Sequence, residues 1–164
     1  MSSLEDERFM REAMRVATER SADPSVSPIG CVIVKDGQII ATERNRVEDD
    51  HDPTAHAEIT AIRAAGAKLQ DPELRGAVLY STLQPCGMCT MASIWSKVGR
   101  VVFGAGREDV HRMYFEDRHI DTMQFIEDAY RHDLTIEGGV LRAECAALYY
   151  GPHDHPPLEE QGNL

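Results

Sequence analysis

The chain has 164 residues, which suits a single domain with its own hydrophobic core. Apolar residues make up 42% and charged residues 27%, a composition that is ordinary for a globular protein and excludes a fibrous or disordered chain. The formal net charge of −11, with no cluster of Lys and Arg, predicts that a polyanion is repelled. We therefore expect a small-molecule ligand and no nucleic-acid partner.

The composition also predicts a compartment. No apolar run approaches the roughly 20 residues of a membrane span, and the acidic start Met1–Glu7 is unlike a secretory signal. Four cysteines, two of them candidate metal ligands, favour a reducing compartment. We expect a cytoplasmic protein without membrane contact, in which Cys31 and Cys145 are small buried groups and not a bridge.

The first half of the chain predicts a helix, a hairpin and a second helix. Apolar residues at helical spacing indicate an amphipathic helix near the N-terminus, and Asp36-Gly37 is a strong hairpin turn. Thr54 is a good N-cap, and Gly66 is a plausible stop signal. The predicted elements are a helix over 5–20, a strand over Ile29–Val34, a strand over Gln38–Thr42, a polar loop over Arg46–Pro53 and a helix over Ala55–Ala65.

The second half continues with alternating strands and helices, and its signal weakens between Glu108 and Arg131. The predicted elements are a strand over Gly76–Thr82, a helix over Gly87–Ser96, a strand over Arg100–Gly104, a strand over Asp133–Glu137, a helix over Leu141–Tyr149 and a solvated tail over 152–164. His153 and His155 in that tail leave metal binding open as an alternative. The order predicts an α/β protein, one domain over 1–164, with three α/β/α layers around a central mixed five-stranded sheet.

Two short motifs carry the chemistry. The run Thr54–Glu58 contains H-x-E, and Pro85–Cys89 reads P-C-x-x-C. Zinc prefers four tetrahedral nitrogen or sulfur ligands, and a catalytic site leaves one position to water. His56, Cys86 and Cys89 supply three ligands, and the two cysteines lie on one face of a helical turn. The motifs therefore predict a Zn²⁺ cofactor.

Glu58 is the predicted catalytic residue. It lies about 200° around an ideal helix from His56, so the two share a site only near a helix end. A zinc-bound water loses its proton near neutral pH, and a neighbouring carboxylate can accept that proton and deliver it elsewhere. Zinc hydroxide would then attack a ring carbon that bears an amine, while Glu58 moves the proton to a ring nitrogen and to the departing amine.

Other interpretations of the same residues remain open. Cys86 and Cys89 could form a redox pair. The zinc site could be closed and structural, in a module without catalysis, with Cys31, Cys145 or His51 as its fourth ligand.

The two motifs together are the signature of the zinc-dependent nucleobase deaminases, and the chain resembles the cytidine-deaminase-like superfamily over nearly its whole length. Two branches are most similar: the bacterial guanine or guanosine deaminases and the tRNA-specific adenosine deaminases. Both share the motif Asp52–Glu58. The runs Gly99–Ala105 and Glu144–Leu148 look like the tRNA branch, whereas Tyr114–Asp117 and the position of Trp95 look like the guanine deaminases.

The resemblance implies one deaminase domain of the CMP/dCMP type, a homodimer and further site residues. Asn45 would hydrogen-bond the base, Trp95 would pack near its ring, and Asp117 would bind the purine or shuttle protons. Backbone N–H groups of Ala57 and Cys86 would complete the pocket. Gln84 stands where the family usually has Glu, and Ile29 stands where guanine deaminases often have Phe.

The favoured substrate is therefore a small purine base or nucleoside, with guanine or guanosine first. Deamination of adenosine in tRNA is the alternative, followed by deamination of cytosine or another amino-heterocycle.

Overall fold

The computed structural model describes residues 3–19, 27–115, 121–127 and 132–161. Helices α1 to α6 span Leu4–Thr18, Val47–Asp50, Ala57–Leu69, Gly87–Trp95, Thr122–Glu127 and Arg142–Ala146. Strands β1 to β5 span Gly30–Lys35, Gln38–Arg44, Val78–Leu83, Arg100–Ala105 and Thr135–Gly138. Short 3₁₀ helices span Arg107–Asp109, Arg112–Tyr114 and Leu158–Glu160.

The five strands form one mixed sheet in the order β2-β1-β3-β4-β5. Strand β1 is antiparallel to both β2 and β3, whereas β3, β4 and β5 are parallel. The hairpin between β1 and β2 turns at Asp36 and Gly37, whose φ angles of 51° and 71° are those that a tight hairpin turn requires. The predicted mixed five-stranded sheet and its hairpin are confirmed.

Two neighbouring residues of β3 show that helices cover both faces of the sheet. The Tyr80 ring packs against Phe9 of α1 with 5.3 Å between centroids. The Ser81 hydroxyl instead donates to Glu58 of α3 at 3.1 Å. Because successive strand side chains point to opposite faces, α1 and α3 lie on opposite sides. The three-layer prediction is confirmed.

Helix α1 lies directly on the sheet because β1 presents a glycine to it. A Cβ atom at Gly30 would lie 2.0 Å from the carbonyl oxygen of Ala13, a distance that no side chain tolerates. An ion pair fixes the same helix at its start, where buried Asp6 accepts from Arg100 Nη1 and from the Tyr80 hydroxyl, each at 2.8 Å. The close approach and the ion pair together set the position of α1.

The start of α3 differs from the prediction. His56 is its N-cap, with an extended backbone, and the helix continues through Gly66 to Leu69 before Gln70 ends it in a left-handed conformation. Thr54 does not cap, because its hydroxyl donates to Asp52 Oδ1 at 2.7 Å. The predicted loop over Arg46–Pro53 contains the single helical turn α2.

The predicted solvated tail is exposed over most of residues 152–159, although parts of it are ordered by local structure. Pro156 is buried, and Leu158–Glu160 form a 3₁₀ helix. His153 and His155 belong to no group of three metal ligands in the parts of the chain that the structure describes.

Two smaller predictions also have outcomes. Cys31 and Cys145 are buried free thiols, as expected. None of the helices in the described ranges combines the length and apolar character needed to cross a lipid bilayer.

Candidate active site

Two helix starts bring the three predicted metal ligands together. His56 is the N-cap of α3, and Cys86 is the N-cap of α4. Cys89 lies in the first turn of α4, so it turns to the same side as Cys86. The ligand atoms of all three residues lie within 4.8 Å of one another.

The distances in this cluster suit zinc. The Sγ atoms of Cys86 and Cys89 each lie 3.6 Å from Nδ1 of His56. Bond lengths of about 2.3 Å to sulfur and about 2.1 Å to nitrogen, at a tetrahedral angle, place these atoms about 3.6 Å apart. The donor set and its spacing therefore fit a tetrahedral zinc ion.

The cluster has three metal ligands among the described residues. Among the described residues, neither Cys31, Cys145 nor His51 joins the group. A structural zinc site fills all four positions with protein, whereas a catalytic site keeps one position open. The described residues therefore do not form the closed structural site that the sequence left open.

Glu58 lies beside the cluster in a buried position. Its side chain is only 3% exposed. Oε1 accepts from the Ser81 hydroxyl, and Oε2 lies 3.5 Å from Cys89 Sγ. Burial, followed by the negative charge of Cys86, raises the pKa of Glu58. The pKa of Cys86 is lowered to about 4, chiefly by its hydrogen bond with Cys89, and bound zinc deprotonates coordinating thiols.

A cavity of about 250 Å³ opens beside the cluster. Its described lining residues are Ser27, Ile29, Asn45, Val47, Glu48, Pro53, His56, Met113, Tyr114 and Glu160. Sites for drug-sized ligands run from about 300 to 1,000 Å³, so this cavity suits a ligand as small as one base or nucleoside.

Asn45 is the most informative residue of this wall. It is 6% exposed, and its backbone groups bond to Ile29 and Arg44. No described residue hydrogen-bonds to its side-chain amide. Buried polar groups are nearly always paired, so an unpartnered amide in a cavity wall indicates a ligand that pairs with it.

The remaining predicted contacts have different outcomes. Trp95 is the last residue of α4 and is 74% exposed. It lies about 13 Å along the helix from Cys86. Within one chain its side chain therefore neither lines the cavity nor packs in the core. Ala57 is the first residue of α3, where no intrahelical carbonyl reaches the amide N–H. Its role in binding stays a prediction. Asp117 lies outside the described residues.

The structure adds Met113 and Glu160, which the sequence did not single out, and shows that Tyr114 lines the cavity. Met113 and Tyr114 line the cavity from the 3₁₀ helix Arg112–Tyr114, and Glu160 lines it from the C-terminal segment. The sequence signal for Tyr114 was the resemblance of the run Tyr114–Asp117 to the guanine deaminases, whereas Met113 and Glu160 had none. Gln84 has a structural role, because its amide donates to Thr122 at 2.9 Å and accepts from the Arg107 amide at 3.2 Å.

Helices cover both faces of the mixed sheet, and two helix starts bring a three-ligand zinc site next to a buried carboxylate. This fold and this site define a zinc-dependent nucleobase or nucleoside deaminase. Residues 3–105 match the cytidine and deoxycytidylate deaminase zinc-binding region. The chain belongs to this family, and zinc is its cofactor.

Similar proteins have two different names. The chain is 36% identical over 148 residues to the tRNA-specific adenosine deaminase of Buchnera aphidicola, a match that covers 90% of this chain and 93% of that protein. It is 39% identical over 117 residues to the guanine deaminase of Bacillus subtilis, covering 71% and 75%. The solved structure of guanine deaminase from Nitrosomonas europaea has a TM-score of 0.76 at 28% identity, covering 90% of this chain and 83% of that one.

Proposed function

We propose that the protein hydrolytically deaminates a small purine base or nucleoside, with guanine or guanosine as the favoured substrate. One observation carries this proposal: the buried carboxylate of Glu58 lies against a three-ligand metal cluster whose His56 forms part of the wall of a small cavity. His56, Cys86 and Cys89 hold the zinc ion in this proposal, and Glu58 is the catalytic acid and base.

A zinc ion held by three protein ligands lowers the pKa of a coordinated water to about 7 and so supplies a nucleophile at neutral pH. Glu58 accepts one proton of this water on its carboxylate and gives it to a ring nitrogen. It then takes the second proton, which remains on the added oxygen, and gives it to the departing amine, so that ammonia leaves. Ser81 holds the carboxylate toward the cluster through Oε1. Asn45 fixes the plane of the base through its side-chain amide, which can both donate and accept.

Two properties support a small substrate over RNA. The described wall of the cavity contains the carboxylates of Glu48 and Glu160 but no Lys or Arg. The arginines beside it are paired with carboxylates in the loop before α3: Arg44 with Asp49, Arg46 with Asp50 and Arg63 with Asp52. Cations paired in this way attract phosphate weakly.

Deamination of adenosine in tRNA is the second candidate, and it conflicts with the expectation of no nucleic-acid partner. The similarity to the tRNA-specific enzyme of Buchnera aphidicola covers 90% of this chain. A second cavity, of about 940 Å³, is lined by Arg107, Arg112, His111, His153 and His155 together with Glu108 and Asp154. Its basic side chains could contact phosphates of an RNA.

Two measurements separate these candidates. Ammonia release is measured from guanine, guanosine, adenine, adenosine and cytosine, with Glu58→Gln as the catalytic control. Binding of a tRNA anticodon stem-loop is measured against salt, since phosphate contacts make log affinity fall linearly with log salt. Release from guanine or guanosine without RNA binding supports the first candidate. Tight, salt-sensitive RNA binding with deamination of adenosine in RNA would replace it with the second.

We also propose a homodimer in the cytoplasm. Helix α4 exposes Met88, Met91 and Trp95 at 36%, 39% and 74%, and their spacing places them along one side of the helix. Exposed apolar surface of this kind often marks a protein–protein interface. A Trp95→Lys variant should shift the mass measured by light scattering from dimer to monomer, and a wild-type protein of monomer mass would contradict the proposal.

A further inference from the structure

We propose that the carboxylate of Glu160 restricts the active-site cavity to uncharged amino-heterocycles and rejects substrates with a phosphate close to the ring. This inference rests on the proposed function and names the substrate class more narrowly. In this proposal Glu160 determines substrate specificity, and the C-terminal segment positions its side chain at the cavity.

The segment that carries Glu160 is anchored before it reaches the cavity. The Tyr149 hydroxyl lies 2.6 Å from Thr82 Oγ1 at the end of β3. The backbone of Tyr150 is held on both sides: its carbonyl accepts from the His111 amide at 2.7 Å, and its N–H donates to the Tyr114 hydroxyl at 3.2 Å. These contacts tie the segment to the sheet and to the 3₁₀ helix that lines the cavity.

The end of the segment then folds back to the cavity. Gln161 Nε2 donates to the carbonyl of buried Pro156 at 2.6 Å, which closes the 3₁₀ helix Leu158–Glu160 on itself. The Tyr150 hydroxyl donates to Glu160 Oε2 at 2.8 Å. No described residue donates to Oε1, so one carboxylate oxygen is held in place while the other remains available to a ligand.

The charge of this wall favours some ligands and opposes others. Glu48 and Glu160 contribute two carboxylates, and the described lining contains no Lys or Arg to offset them. The two positive charges of a zinc ion on His56 would be balanced by the thiolates of Cys86 and Cys89. An ionised carboxylate only accepts hydrogen bonds, so it pairs with N–H or O–H groups of a neutral base or nucleoside. A phosphate monoester carries up to two negative charges, and like charges across a small cavity oppose each other by about tenfold or more in affinity.

Neutralising Glu160 tests this role against a purely structural one. Glutamine keeps the size of the side chain and an acceptor for Tyr150 but removes the charge. Glu159→Gln is the matched control, because Glu159 lies on the same 3₁₀ helix, carries the same charge and does not line the cavity among the described residues. Each change is made in zinc-loaded Glu58→Gln protein, so that binding is measured without turnover.

The dissociation constants of guanosine and guanosine 5′-monophosphate are measured by calorimetry at low and high salt. At low salt, Glu160→Gln should lower the ratio of the two dissociation constants, guanosine 5′-monophosphate over guanosine, about tenfold. The effect should be smaller at 0.5 M salt, where the Debye screening length is roughly 3–5 Å. Glu159→Gln should change the ratio less than about twofold.

An unchanged ratio in Glu160→Gln, an equal change in Glu159→Gln, or failure of both ligands to bind overturns the inference. Ammonia release is measured separately, in zinc-loaded protein that keeps Glu58. Turnover with an unchanged ratio rejects the role of Glu160 alone, whereas the absence of turnover on every amino-purine rejects the proposed function.

Discussion

The hydroxyl of Ser81 lies 3.1 Å from Oε1 of Glu58 and joins β3 to the first turn of α3. Ser81 is fully buried, so this hydrogen bond has no competition from solvent. The second oxygen of Glu58 faces Cys89 of the metal cluster. The sheet therefore sets the orientation of the carboxylate that we propose as the catalytic group.

Replacing Ser81 with Ala should lower kcat about tenfold while KM and the zinc content stay unchanged, because the carboxylate loses a partner that positions it and the substrate does not. Ser96→Ala is the control: its buried hydroxyl donates to the Ser93 carbonyl within α4. Steady-state kinetics with metal analysis measures both variants. A rise in KM with unchanged kcat in Ser81→Ala would contradict the positioning role.

Loss of one thiol of the cluster should remove the metal. Cys89→Ala deletes a proposed zinc ligand, and we expect the purified protein to hold little zinc and to release no ammonia. Cys145→Ala deletes an equally buried thiol outside the cluster and should keep one zinc per chain. Elemental analysis of both proteins decides the matter, and full zinc occupancy in Cys89→Ala would refute the proposed ligand set.

Asn45→Ala should separate activity from stability. No described residue pairs with the amide, so its removal costs the fold no hydrogen bond and should leave the free energy of unfolding unchanged or raised. The substrate loses its partner, and we expect kcat/KM to fall by about 10- to 100-fold. Kinetics and denaturant unfolding are measured together, and a large loss of stability with normal kcat/KM would show that the residue is structural.

The ion pair between Asp6 and Arg100 should make stability depend on pH. Burial opposes ionisation of Asp6, but hydrogen bonds from Arg100, Tyr80 and Ser3 outweigh it and hold the pKa of the carboxyl well below its usual range. A lowered pKa stabilises the fold above the unfolded pKa of about 3.9, and this contribution is lost as pH falls toward the folded pKa.

We therefore expect Asp6→Asn to lower the free energy of unfolding by about 2 kcal/mol at pH 7, since Arg100 then lacks its buried partner. The difference from wild type should begin to shrink below about pH 5. Denaturant unfolding between pH 7 and pH 3 measures it, with Glu5→Gln on the exposed side of α1 as the control. A difference that does not vary with pH would exclude the ion pair as its source.

Much of the fold could be predicted because its signals are local. The alternation of strands and helices, the turn at Asp36-Gly37 and the spacing of Cys86 and Cys89 each arise within a few residues of chain. The errors have equally local causes. Thr54 has the chemistry of an N-cap, yet its hydroxyl bonds to Asp52, and His56 takes the cap position because an extended backbone there turns its ring to the two thiols.

The sequence by itself determined the family, the metal and the three candidate ligands, because zinc chemistry demands particular side chains at particular short spacings. Only the tertiary structure decided what surrounds the ligand cavity. Asn45, Tyr114 and Glu160 come from distant parts of the chain and meet at one wall. The family resemblance pointed to Asn45 and to the run from Tyr114, but no period or motif relates either of them to Glu160. Their proximity follows from how the sheet, the 3₁₀ helix and the C-terminal segment pack together. The same packing exposes Trp95 and brings Glu160 of the tail to the cavity.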